Sequence, residues 1–192
     1  MSALATTIRG YLREGTEVGR FLRDHHHSEE FRDFAVRYST LNQLWINCDR
    51  ADWMLMMLQS IDLTPEFALR KFAGFCAYQC SHLMNDPRSL HMLALLERYV
   101  KREVNWLEVV NARMEAYVAV NAAALRNDAL GEALASTAAS AAKNDAFTAA
   151  YDTCHHALRA VELGTNNAPE LQRLQAVRLR SLFGNPFNSR RF

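Results

Sequence analysis

Cysteine and histidine are the residues of this chain that could do chemistry most directly. Cys76 and Cys80 lie one helical turn apart with His82 close behind, and Cys154 is followed by two histidines. Thiolates and imidazoles bind zinc, and a cysteine beside a histidine can act as a nucleophile. However, C-x-x-x-C is not a usual zinc spacing, and a reduced cysteine also behaves as a small buried apolar residue. We therefore predict core cysteines, with no metal and no cofactor.

A second histidine cluster, Asp24-His25-His26-His27, lies in a charged stretch with the sequence RDHHHSEE. Consecutive histidines on a helix point in different directions and cannot all meet one ion. We interpret this cluster as a solvated turn.

Two further observations bear on enzymatic activity. Asp49 and Asp52 have the spacing of a helix start, which predicts Asp49 as the N-cap and Asp52 in the first turn, facing the positive helix end. Glycine-rich phosphate loops, G-x-S-x-G and H-E-x-x-H are all absent from the sequence. With no catalytic constellation, we predict that the protein is not an enzyme.

The charge balance disfavours nucleic acid as a partner. The chain has 22 basic and 21 acidic residues, a formal net charge of +1. Basic residues do accumulate after Glu170, where five arginines follow without an acidic residue. Arg173, Arg180 and the pair Arg190-Arg191 could contact an anion or an acidic partner. Alternatively, they are cations that complement the negative end of a helix.

The elements that must position these residues are helices. Apolar residues recur with a period of about 3.6 between sparse proline and glycine residues. Thr64-Pro65 and Asp86-Pro87 are typical of helix starts. Gly164 and Gly184 are typical of helix ends. Pro169 can open the helix that follows Gly164. The pattern predicts helices over 3–13, 17–24, 29–38, 40–47, 50–60, 65–84, 87–101, 104–126, 128–142, 144–163 and 169–182. The run WMLMML at 53–58 is apolar all round, which predicts a central buried helix.

Three apolar stripes predict which helix faces are buried. They comprise Leu69, Phe72, Ala73, Cys76, Cys80 and Leu83; Leu107, Val110, Met114, Tyr117 and Val118; and Phe147, Tyr151, Cys154, Leu158 and Val161. Residues 112–160 contain 18 alanines, whose small side chains permit close helix approach.

These observations predict an all-α single domain of antiparallel helices, arranged as a bundle or a solenoid-like stack. We expect an N-terminal helical arm over 1–40, a helical core over 41–183 and a basic tail over 184–192. No signal peptide or membrane span is evident, and reduced cysteines fit the cytoplasm.

A series of short motifs resembles one family. The order and spacing of these motifs are similar to those of all-helical bacterial and phage proteins described as immunity proteins. The segments that carry the resemblance are Cys48-Asp49-Arg50-Ala51-Asp52-Trp53-Met54-Leu55, Arg70-Lys71-Phe72-Ala73, Cys76-Ala77, Asp86-Pro87-Arg88-Ser89, Leu96-Glu97-Arg98-Tyr99 and, at the end, Leu179 to Phe187. The chain departs from the pattern at 101–103, where the family tends to have a glycine before an acidic residue.

The resemblance implies an all-α protein that binds and neutralises a toxin or effector. The site residues it suggests are Asp52, Trp53, Arg70, Arg88 and Glu97, which could contact the protein partner. In a structural alternative, Arg70 and Arg88 pair with Glu97 or Asp52 across helices and fix their register.

Two other functions stay open on the sequence alone. One is a phage or bacterial regulatory or counter-defence protein that sequesters a small ligand between its helices. The other is a metal-assisted hydrolase that uses the histidine and cysteine groups.

Overall fold

All regular elements in the computed structural model, which describes residues 15–25 and 28–188, are helical. The all-α prediction is therefore confirmed. The helix predicted over 3–13 lies outside the described residues. The α-helices are α1 (Glu17–Asp24), α2 (Glu29–Ala35), α3 (Leu41–Asn47), α4 (Ala51–Gln59), α5 (Glu66–Gln79), α6 (Pro87–Val100), α7 (Trp106–Leu125), α8 (Ala129–Ala141), α9 (Ala146–Gly164) and α10 (Ala168–Phe183), with one 3₁₀ turn, Ser81–Leu83.

Helix starts are set by polar side chains that accept backbone N–H groups of the first turn. Asp86 caps α6 ahead of Pro87, as predicted, and Asn105 forms a reciprocal capping box with Glu108 on α7. The other capping residues are Thr16, Ser28, Thr40, Asp128 and Asp145.

Two predicted helix starts are wrong. The N-cap of α5 is Pro65 itself and not Thr64, because the fixed φ of proline also permits the extended conformation found there, with ψ at 121°. The N-cap of α4 is Arg50, without a side-chain cap, and not Asp49. Asp52 does lie in the first turn of α4, as predicted, and its carboxylate is also held by other side chains, described below.

The two predicted glycine stops behave differently. Gly184 follows α10 with φ at 64°, as predicted for a residue just past a helix end. Gly164 is instead the last residue of α9, and the left-handed position is Asn166, with φ at 57°. A β-carbon on Gly164 would lie 2.9 Å from Leu83 Cδ1, so close packing is the physical reason for glycine here.

The described residues form two compact units. The first contains the chain up to Cys48 together with 184–188, and the second is Asp49–Phe183. The division falls after Cys48, whereas the sequence analysis places it after residue 40. Within the first unit, Trp45 on α3 donates its indole N–H to Gly184 O at 2.9 Å and packs on the Phe187 ring. Segment 184–188 is thereby held to α3.

Helix α4 is buried within the second unit, as predicted from its apolar sequence. Seven of its nine residues are buried. Helix α4 packs against α9 and α10, and α5 packs against α6, α8, α9 and α10. The α5 stripe is also confirmed from Leu69 to Cys80, whose apolar members are fully buried, while Leu83 is partly exposed.

Alanine faces hold the later helices together. Helix α8 packs against both α7 and α9, and its buried surface is mostly alanine and small polar residues. Cys154 and Val161 of the predicted α9 stripe are buried, whereas Phe147, Tyr151 and Leu158 are partly exposed. Small side chains on both sides allow the backbones to approach closely.

Candidate functional site

Helix α7 presents large apolar side chains outward. Leu107 is 67% exposed, Met114 57%, Val118 54% and Leu125 86%. With Tyr117, which is 37% exposed, these residues recur at helical spacing along one face. We call this set of five residues the α7 stripe. Its members define the most extended apolar surface on a single helix of the described chain.

The α7 stripe corrects the sequence prediction, which placed Leu107, Val110, Met114, Tyr117 and Val118 in the core. The buried face of α7 is instead formed by small residues, namely Val109, Ala112, Ala116, Ala119 and Ala123. Because α8 brings its own alanine face against this side, only small side chains fit between the two backbones. The larger residues are therefore turned away from the contact.

Charged residues flank the α7 stripe on one side. Glu108 and Glu115 lie towards the start of the helix, and Arg126 lies at its end, 3.8 Å from the Asp128 carboxylate. Glu108 is held in the capping box. The arrangement combines an apolar centre with a charged edge, which is the composition typical of protein interfaces.

A second polar centre lies where α4 meets α9. Asp52, only 6% exposed, accepts two hydrogen bonds from Arg50, at 3.0 Å from Nε and 2.7 Å from Nη2. His155 Nε2 lies 3.5 Å from Asp52 Oδ2, the oxygen that also accepts from Arg50 Nη2. Burial alone would raise the pKa of Asp52, but the hydrogen bonds from His155 and Arg50 outweigh it, and the pKa lies well below its usual value.

The contacts of this polar centre indicate a role in packing and not in catalysis. The Arg50 guanidinium covers the Trp53 ring at 4.4 Å, and Trp53 is almost fully buried. The Cys154 thiol donates to Tyr151 O at 3.0 Å, and burial raises its pKa well above the usual value. A buried thiol of this kind is packed and inert, so the geometry does not favour a Cys-His nucleophile here.

The pairing of His155 with Asp52 predicts a pH-dependent stability. The hydrogen bond that His155 donates to the Asp52 carboxylate raises the pKa of His155. Protonation of the imidazole therefore stabilises the fold at low pH, and this contribution is lost as the pH rises through the folded-state pKa. We expect His155→Gln to lower the unfolding free energy at about pH 5 and to leave it nearly unchanged at about pH 8.5. Because the side chain is 42% exposed, solvent screening keeps the loss to about 0.5 kcal/mol.

Urea unfolding of both proteins at the two pH values measures this difference. His156→Gln is the matched control, because burial lowers the pKa of His156 and its protonation opposes folding at low pH. This variant should gain relative stability as the pH falls. A loss for His155→Gln that is equal at both pH values would contradict the assigned pairing.

Arg70 fastens α5 to the loop between α8 and α9. The side chain is 1% exposed, and its two terminal nitrogens donate to Lys143 O and Asn144 O. Its guanidinium lies over the Trp106 ring at 4.1 Å, and its Nε is 3.6 Å from the Glu66 carboxylate. Both terminal nitrogens of Arg70 are therefore engaged inside the fold, while its buried Nε has no hydrogen-bond partner among the described residues.

The predicted pairing of Arg70 and Arg88 with Glu97 or Asp52 is wrong. Arg88 binds Asp86, two residues away, at the start of α6. Glu97 accepts from Lys101 at 2.7 Å and from the Tyr78 hydroxyl at 3.0 Å. Arg70 donates to backbone carbonyls and Arg88 to its neighbour Asp86. In the packed helices these acceptors are closer than the carboxylates of Glu97 and Asp52.

Two members of the predicted arginine group, Arg173 and Arg180, lie on α10. Arg173 is exposed on α10, 3.7 Å from Glu170, and Arg180 is partly buried on the same helix. Arg190 and Arg191 lie outside the described residues, as do His26 and His27.

The described residues contain neither a metal-binding cluster nor a membrane-spanning helix. Within 15–25 and 28–188, no three His, Cys, Asp or Glu side chains converge in a way that could hold a metal ion. In the same part of the chain, no helix combines the length and apolar character needed to cross a bilayer.

Comparison of the chain with protein-family models, with curated proteins and with solved structures finds no match.

Proposed function

We propose that this chain is a protein-binding module of the immunity type, which binds a toxin or effector in the cytoplasm and neutralises it by covering its surface. The observation that carries the proposal is the α7 stripe. Groups of large apolar side chains exposed on one helix face often mark interaction sites, and the α7 stripe has five such residues. The motif resemblance described above supports the immunity role.

The partner that fits this surface is a protein with its own apolar groove or amphipathic helix. Stripe residues at helical spacing can enter such a surface as anchors, and burial of each large apolar side chain contributes about 1.5–3 kcal/mol. Glu108, Glu115 and Arg126 at the edge then orient the partner and reject proteins of the wrong charge pattern.

Rigidity of α7 favours tight binding. The capping box fixes the start of the helix, and the alanine contact with α8 supports its buried face. A surface that is already ordered loses little conformational entropy when it binds. Steric blocking of the partner's active surface requires no catalytic group in this chain.

The proposal can be tested by substituting a glutamate into the α7 stripe and measuring the affinity for the partner. We expect Val118→Glu to weaken binding to the neighbouring gene product, tested as the candidate toxin, by about 100-fold, because a carboxylate would be buried without a partner. The measurements are calorimetric affinity and growth rescue on co-expression. Val177→Glu is the matched control: Val177 is 60% exposed on α10 and Val118 is 54% exposed on α7.

Met114→Glu offers a second variant in the same stripe. Both stripe variants should stay folded, because the side chains they replace already face water. Equal affinities for the α7 and α10 variants would contradict the assigned surface. Absence of both a complex and growth rescue for the wild-type protein would overturn the proposed function itself.

A further inference from the structure

A groove of about 450 Å³ lies between α5, α6 and α10, on residues that the α7 stripe does not include. Its volume falls within the range of small-molecule sites, roughly 300–1,000 Å³. Its apolar lining, which we call the floor, comprises Phe75, Leu96 and Val100 together with Gly74. Exposed Lys71 and half-buried Arg178 also line the groove, and we call this cationic part the entrance.

Gly74 is unusual because it lies inside α5, where glycine weakens a helix relative to alanine. Packing does not demand it: a β-carbon added there would meet only Leu96 Cδ2, at an ordinary contact distance of 3.8 Å. Glycine at such a position keeps the groove open and lets another molecule approach the backbone closely.

The cations at the entrance are available to an anion. The Arg178 guanidinium lies 5.4 Å from the Phe75 ring centre. Within the described residues no carboxylate forms an ion pair with Arg178 or Lys71.

One acidic residue also lines the groove, and it is already neutralised. The carboxylate of Glu97 accepts from Lys101 at 2.7 Å and from the Tyr78 hydroxyl. The remaining charge at the entrance is therefore positive, above a floor that is mostly apolar.

We propose that this groove binds a small organic carboxylate with an apolar body. The carboxylate pairs with Arg178 and Lys71, and the body lies over Gly74 against Phe75 and Leu96. A guanidinium matches the two oxygens of a carboxylate, and an apolar floor accommodates a monoanion with a hydrocarbon body better than a fully hydrated ion. The site uses none of the stripe residues, so it stands or falls independently of the proposed toxin binding.

The experiment is a titration of the full chain with decanoate, followed by two-dimensional NMR of the backbone amides. We expect shifts centred on Gly74, Phe75 and Val100. Decan-1-ol, which has the body without the charge, and acetate, which has the charge without the body, should each bind at least about tenfold more weakly.

Two variants localise the site. Gly74→Met should abolish decanoate binding by filling the groove, and its fold should persist because methionine is a good helix former. Arg178→Gln should weaken binding by about tenfold. Arg173→Gln, on the same helix but exposed beside Glu170, is the control and should bind as the wild type does.

Three outcomes would overturn the proposal. They are equal affinity for decanoate and decan-1-ol, unchanged binding by Gly74→Met, or amide shifts confined to residues outside the groove. Loss of decanoate binding in Arg173→Gln to the same degree as in Arg178→Gln would also contradict the assigned anion contact.

Discussion

Replacement of Arg70 by methionine should lower the free energy of unfolding by about 3 kcal/mol, one of the two largest effects that we expect from a single substitution. The side chain is 1% exposed and holds Lys143 O and Asn144 O, which would both lose their donor. The methionine fills much of the volume but cannot donate. Urea unfolding followed by circular dichroism measures the change.

The matched control is Arg88→Met. Arg88 contacts only its near neighbour Asp86 among the ion pairs of the described residues, so its removal should leave the urea midpoint almost unchanged. Arg70→Lys should fall between the two, since one ammonium cannot copy the geometry of a guanidinium that serves two carbonyls. Similar midpoints for Arg70→Met and Arg88→Met would refute the fastening role.

Enlarging the alanine contact is the second substitution with a large expected effect. Ala116 is fully buried on α7, and Ala116→Leu adds three carbons where close helix packing leaves no space. We expect a loss of about 2–3 kcal/mol from overpacking, seen as a lower midpoint in urea.

Ala124→Leu is the control for this prediction, because Ala124 is exposed on the same helix. Both substitutions make the same change in helix propensity, so the difference between them isolates the packing cost. If Ala116→Leu is as stable as Ala124→Leu, the assignment of the buried face of α7 is wrong.

Helix positions in this chain could be predicted because their determinants are local. Asp86-Pro87 sets the start of α6, Gly184 follows the end of α10, and the continuous apolar run of α4 indicates burial on all sides. Each of these signals acts within a few residues along the chain, so it can be recognised without knowledge of the packing.

The buried face of α7 could not be predicted in the same way. The helix carries two stripes, one of large apolar residues and one formed mainly by Ala112, Ala116, Ala119 and Ala123. The hydrophobicity of each residue type predicts that the stripe of large residues is the buried one. The outcome depends on α8, whose small side chains leave room only for other small side chains. Alanines repeated at three- and four-residue spacing were the signal that could have indicated it.

Contacts between distant residues lie beyond sequence patterns as well. Arg70 binds carbonyls more than seventy positions away, and Asp52 meets His155 from a different helix. The residue type indicates that an arginine or a buried aspartate needs hydrogen-bond partners. Which residues become those partners depends on how the helices pack.

The burial of every cysteine has a practical consequence. All four are buried and form no disulfide, Cys48 in the first compact unit and Cys76, Cys80 and Cys154 in the second. An alkylating reagent can reach each sulphur only when the surrounding helices separate. Pulsed alkylation with mass spectrometry would therefore report the opening rate of each unit from its native residues, and a fluorophore could be attached at a single engineered surface cysteine without removing any of them.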